Sequence, residues 1–136
     1  MDVSRRRGRS IVITLLLLAA NVTCSVRSRP SLESWSQTWK ATRARIPARS
    51  DFERADDARV LCNRMLVTSK EARSALIPTP DASLDTAVQA WMERVGGLAF
   101  DCPSARGETE PFDAAMREIA ILDAEIEAGL LAISSR

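Results

Sequence analysis

Three cysteines, Cys24, Cys62 and Cys102, are the side chains of this chain best suited to chemistry, and what they suit is sulfur–sulfur bonding rather than catalysis. Histidine is absent from all 136 residues, which removes the commonest general base, metal ligand and proton switch. No two cysteines stand at Cys-x-x-Cys spacing, so neither zinc nor thioredoxin-like chemistry is indicated. Asp123 and Glu127, Glu118 and Glu125, and Asp81 and Asp85 recur at helical spacing, but bundle metal sites add a Glu-x-x-His motif that cannot occur here. The serines have only Lys40 and Lys70 as amine bases, at no spacing that defines a Ser–Lys pair. Gly96-Gly97 lacks both the preceding strand and the following Lys-Ser/Thr of a phosphate loop. The expectation is a protein that is not an enzyme and holds neither cofactor nor metal.

Three cysteines leave one unpaired in any fold, and the start of the chain bears on which. Arg5, Arg6, Arg7 and Arg9 precede an apolar run from Ile11 to Ala20, the charged region and apolar core of a secretory signal peptide. The run is shorter than the roughly 20 residues a membrane-spanning helix needs, so a retained signal anchor is the lesser alternative. Cys24 follows directly, and in this layout the leader resembles that of bacterial lipoproteins, whose modified cysteine stands just past the apolar core. Asn21, Val22 and Thr23 depart from the usual Leu–small–Gly/Ala approach to that cysteine. Cleavage by ordinary signal peptidase after Ala20, Cys24 or Ser25 is the rival. The resemblance implies a signal peptide over residues 1–24, lipidation at Cys24, a short linker over 25–30 and a domain over 31–136. It also implies an exported protein of the cell envelope, lipid-anchored, or secreted or periplasmic if ordinary signal peptidase acts.

With Cys24 acylated or removed, Cys62 and Cys102 form an even pair suited to an oxidising compartment. Closing the 40 positions between them would contribute about 4 kcal/mol in the chain-entropy model; two unrelated buried thiols are the alternative.

The formal charge of +1 hides two opposed halves. Residues 25–74 hold 11 basic and 6 acidic side chains, and residues 75–136 hold 4 basic and 11 acidic ones. Two readings follow: the halves attract each other across packed helices, or a basic strip is presented outward. That strip comprises Arg27, Arg29, Lys40, Arg43, Arg45 and Arg49, with Arg43, Arg45 and Arg49 as the candidate surface for an envelope protein partner or for anionic headgroups. A nucleic-acid partner does not suit an exported, disulfide-capable chain.

Apolar residues make up 46% of the chain, enough to form a core, and their period is helical throughout. Leu32, Trp35, Trp39 and Ile46 define a first helix, capped by Ser31 and ended by Pro47. Ser50 and Glu53 have capping-box spacing, so a second helix is expected from there through Cys62, Met65 and Leu76 to the stop at Pro78. A third runs from an Asp81 or Ser83 cap through Trp91 and, its period unbroken, past Gly96-Gly97 to Cys102. Phe112, Ile119, Ile126 and Ile133 repeat every seven residues in a fourth. The expected fold is all-α, a small up-down four-helix bundle stapled by one disulfide. Its expected role is that of an exported, non-catalytic, protein-interaction or structural module. The alternative is a carrier of a small apolar ligand in a cavity lined by Trp35, Trp39, Trp91 and Phe112.

Overall fold

The computed structural model describes residues 28–100, 102 and 109–136. The expected signal peptide, Cys24 and residues 25–27 of the expected linker lie outside the described residues. The described residues are all-helical, with no strand. Among the described residues there are five α-helices rather than the expected four: α1 (Leu32–Arg43), α2 (Arg49–Arg54), α3 (Ala58–Leu76), α4 (Asp85–Phe100) and α5 (Thr109–Ser134), with a 3₁₀ turn at Ala82–Leu84 before α4. No helix among the described residues is long and apolar enough to cross a membrane.

The extra helix comes from a break inside the expected second one. Ser50 is not a cap but lies within α2. The N-cap is Ala48, whose N–H donates to the Asp51 carboxylate at 2.8 Å while its carbonyl accepts from the Asp51 N–H at 3.0 Å. Ala55 is extended, ending α2 after six residues. Asp57 then starts α3, its carboxylate accepting from the Arg59 N–H at 2.9 Å. An aspartate satisfies free donors at a helix start better than it sits inside a helix, so Asp57 supports a new start rather than a continuation.

α4 runs unbroken through Gly96-Gly97. The tolerance has a local reason at Gly96, where an added Cβ would lie 2.8 Å from Ser69 Oγ on α3. Ser69 Oγ in turn donates to the Met92 carbonyl at 3.0 Å. A hydroxyl thus sits against the bare backbone of α4.

Directions follow from which residues meet. Trp35 Nε1 donates to Leu76 O at 2.9 Å, and Arg45 meets Glu71, so α1 and α3 run oppositely. Cys62 lies opposite Cys102, and Ser69 opposite Gly96, so α3 and α4 do too. Leu84 packs on Gly129, Trp91 meets Asp123 and Arg94 meets Glu118, which sets α4 against α5. One core joins all of them: Trp35, Trp39, Met65, Leu76, Val88, Trp91, Val95, Ile119 and Ile126 are buried together. Burying one such side chain stabilises by about 1.5–3 kcal/mol. The seven-residue stripe of α5 faces inward, with Phe112, Ile119 and Ile126 buried and Ile133 packed at its edge.

Candidate functional site

The functional question centres on Arg43, Arg45 and Arg49, which leave the C-terminal end of α1 and enter α2. Each has an acidic partner. Arg43 Nε donates to Asp123 of α5 in a short contact, Arg45 meets Glu71 of α3 at 2.5 Å, and Arg49 Nε meets Asp113 of α5 at 2.5 Å. Arg49 also lies 3.6 Å from Glu53 and over the Phe112 ring at 5.4 Å. Exposed pairs of this kind contribute about 0–1 kcal/mol each; Arg45–Glu71 and Arg49–Glu53 lie within the basic first half, while others couple it to the acidic second half. Arg43–Asp123, Arg49–Asp113 and Arg29–Asp85 all join those halves.

Between α1, α2 and α5 these residues edge an open groove of about 590 Å³. Ile46, Pro47, Met116, Ile119 and Ala120 supply its apolar surface, and the Arg43–Asp123 and Arg49–Asp113 pairs its polar edges. Arg45 is not part of it. The sequence-level strip is therefore split: two arginines border a groove, while the third bridges α1 and α3.

Asp123 is the most enclosed acid of the group, with 13% of its side chain exposed. It accepts from Arg43 and, at 2.6 Å, from the Trp91 indole N–H. One turn on, Glu127 accepts from the Trp39 indole N–H at 2.6 Å. Burial pushes the Asp123 carboxyl above its ordinary value; Arg43 and the Trp91 N–H pull it back, and nearby Glu127 adds to the rise. A carboxylate with two donors in place is held still by them.

The indoles nominated as a cavity lining fill the interior instead. Trp35 and Trp39 stack with centroids 6.1 Å apart, and Trp39 meets Trp91 edge-on at 5.0 Å. All three are buried and each N–H has an acceptor. Phe112 belongs to a separate contact, edge-on to Phe52 at 4.8 Å. The Asp123–Trp91 and Glu127–Trp39 bonds were not anticipated from the sequence. The signal was there in Asp123 and Glu127 at i, i+4 on a helix whose core faces two tryptophans.

Cys62 and Cys102 form a disulfide-distance pair with Cα atoms 5.9 Å apart, inside the range that a disulfide bridges. Cys24 lies outside the described residues. No group of three or more potential metal ligands occurs among the described residues. Comparison with protein-family models, with curated proteins and with solved structures finds no match to this chain.

Proposed function

We propose that this chain is the precursor of an exported, non-catalytic helical protein of the bacterial cell envelope, anchored by acylated Cys24 and acting as a protein-interaction or structural module. The observation that carries the reading is the Cys62–Cys102 pair. Each of the two cysteines has the other as its natural partner, so the odd cysteine is the one directly after the Arg-rich, apolar leader. The bond itself is part of the proposal, as is the finer architecture: α1, α3, α4 and α5 as an up-down bundle to which α2 is a short addition. Ion pairing at Arg43 and Arg49 leaves the groove of α1, α2 and α5 as the surface on which an envelope partner would find both apolar and paired polar groups.

The test is the intact mass of the mature protein purified from bacterial membranes after expression of the full chain. A mass beginning at Cys24 and carrying acyl chains is expected, and Cys24→Ser should leave the precursor uncut. A free N-terminus at Asn21, Ser25 or Val26 would overturn the anchor. Alkylation of the denatured, unreduced protein should leave Cys62 and Cys102 unlabelled; labelling of both would remove the disulfide.

A further inference from the structure

The inward stripe of α5 has a counterpart on the outward side of the same helix. Ile121, Ala124, Ala128 and Leu131 follow one another at steps of three, four and three residues, so on a regular helix they share a sector of about 80°. All four are exposed, Ile121 at 66% and Leu131 at 70%. From Glu118 to Ser135 no charged side chain falls in that sector. Arg117, in line with it at one end, is paired with Glu110 at 2.9 Å and closes the seam.

The two edges of the seam carry opposite charges at one level. Asp123 and Glu127 meet Arg43 and Trp39, so α1 flanks one edge. Glu118 meets Arg94 and Gly129 meets Leu84, so α4 and the turn before it flank the other. Glu125 is exposed on the α4 edge. On α1, Lys40 stands about 60° beyond Arg43 and about 140° from Arg45, whose partner is Glu71 of α3. Lys40 is therefore exposed on the side of α1 that borders α5. The Trp39–Glu127 and Arg43–Asp123 contacts between these antiparallel helices set Lys40 level with residue 126, across the seam from Glu125. Neither Lys40 nor Glu125 has an ion pair with any described residue. Glu33, two turns earlier on the same side of α1, is level with Ala132 and Ile133, where the seam's far edge has no charge.

We infer that the occupant of this seam is a second copy of the chain, two α5 helices pairing in parallel with Lys40 of each copy meeting the partner's Glu125. In a parallel pair about a twofold axis along α5, the α1 edge of each copy lies against the α4 edge of the other, so one symmetry operation makes both contacts. An antiparallel pair would set like edges together, Lys40 against Lys40 and Glu125 against Glu125. A foreign helix with flanks of one sign would be mismatched along one edge, and an anionic lipid surface would meet Glu125 and Glu127. The side chains fit the same occupant. Ile121 takes the a place and Leu131 the d place of a heptad, the choice that favours two parallel strands, and Ala124 and Ala128 between them let the two axes come close. The pairing goes beyond the envelope reading and does not rest on it. Parallel order also sets both Arg29–Asp85 clamps at one end of the pair, so two anchored copies would enter one bilayer.

The seam from Ile121 to Leu131 spans about 15 Å, a short contact that mild oxidative cross-linking can capture. Mature protein from cells expressing the full chain is used, carrying Ile121→Cys or Leu131→Cys, with the linked peptides identified by mass. Each variant should link to its own copy at the new cysteine, and a mixture of the two should give few Ile121→Cys to Leu131→Cys links. Association measured by sedimentation should fall roughly tenfold in Lys40→Glu and in Glu125→Lys, and return toward the natural value in the double exchange Lys40→Glu/Glu125→Lys. Ala124→Glu, at an exposed position, should abolish association while the circular dichroism spectrum stays native. Absence of self-links at both positions, mixed links as abundant as self-links, or a double exchange no better than either single change overturns the parallel pair.

Discussion

At Asp123 two opposing effects can be separated by pH. Its carboxyl is raised by burial above the ordinary value of 3.8. As pH falls toward 3.8 the folded state takes up a proton before the unfolded chain does, so this residue adds stability on acidification. Asp51, Asp57, Asp81 and Asp85 shift the other way, chiefly through hydrogen bonds to the Ala48 N–H, to Arg59, to Ser83 and to Arg29. Their contribution is complete above the ordinary value and is lost as pH falls below 3.8 through their folded values. Urea unfolding across this range should therefore show Asp123→Asn losing ground to the natural protein as pH drops from 7 toward 3.8, with both failing below it. A difference independent of pH would refute the assignment. Asp123→Ala is a harsher change, because it strips the acceptor from the Trp91 N–H and from Arg43. We expect a cost of about 1–3 kcal/mol, the penalty for a buried donor left unpaired, read as a lowered urea midpoint at pH 7.

Among the helices, three glycines make contrasting predictions. Gly97 has nothing within 4 Å of where a Cβ would stand, so Gly97→Ala should gain about 1 kcal/mol from helix propensity alone. Gly96→Ala should gain less or nothing, since Ser69 Oγ must give up its place and its bond to Met92 O. Gly129→Ala meets Leu84 Cδ2 at 2.5 Å, and Leu84 is fully enclosed. Overpacking of that kind costs about 1–3 kcal/mol. Thermal unfolding followed by circular dichroism ranks the three, and an order other than Gly97, Gly96, Gly129 would count against this packing. The same elements show what the sequence made legible. Apolar period alone located α1, α4 and α5 and the inward stripe of α5, because periodicity reports which face is buried. It also carried α4 through two glycines. It missed the break at Ala55–Asp57, because the faces of α2 and α3 stay nearly in phase and Ser50–Glu53 mimics a cap. The true start signal was Asp57, hidden in a run of acids. The arginine strip was legible only as charge: a sequence shows charges but not which of them will meet an opposite charge across a helix pair.

For the whole molecule, the Cys62–Cys102 pair closes the start of α3 onto the end of α4. If the bond is formed, adding reductant should lower stability by up to about 4 kcal/mol, with Cys62→Ser/Cys102→Ser matching the reduced protein. Urea midpoints that ignore reductant would speak for two free thiols. A different consequence lies in the clamp at Arg29. Arg29 pairs with Asp85, and the last residue, Arg136, reaches Asp81 at 3.7 Å. Arg29 and Arg136 thus reach the same turn of chain, which brings the first and last described segments close together. A permutant joining Arg136 to Ser28 through a short glycine–serine bridge and opened between Ala55 and Asp57 should keep the native circular dichroism spectrum and cooperative melting. The opening falls between α2 and α3, so no helix is cut.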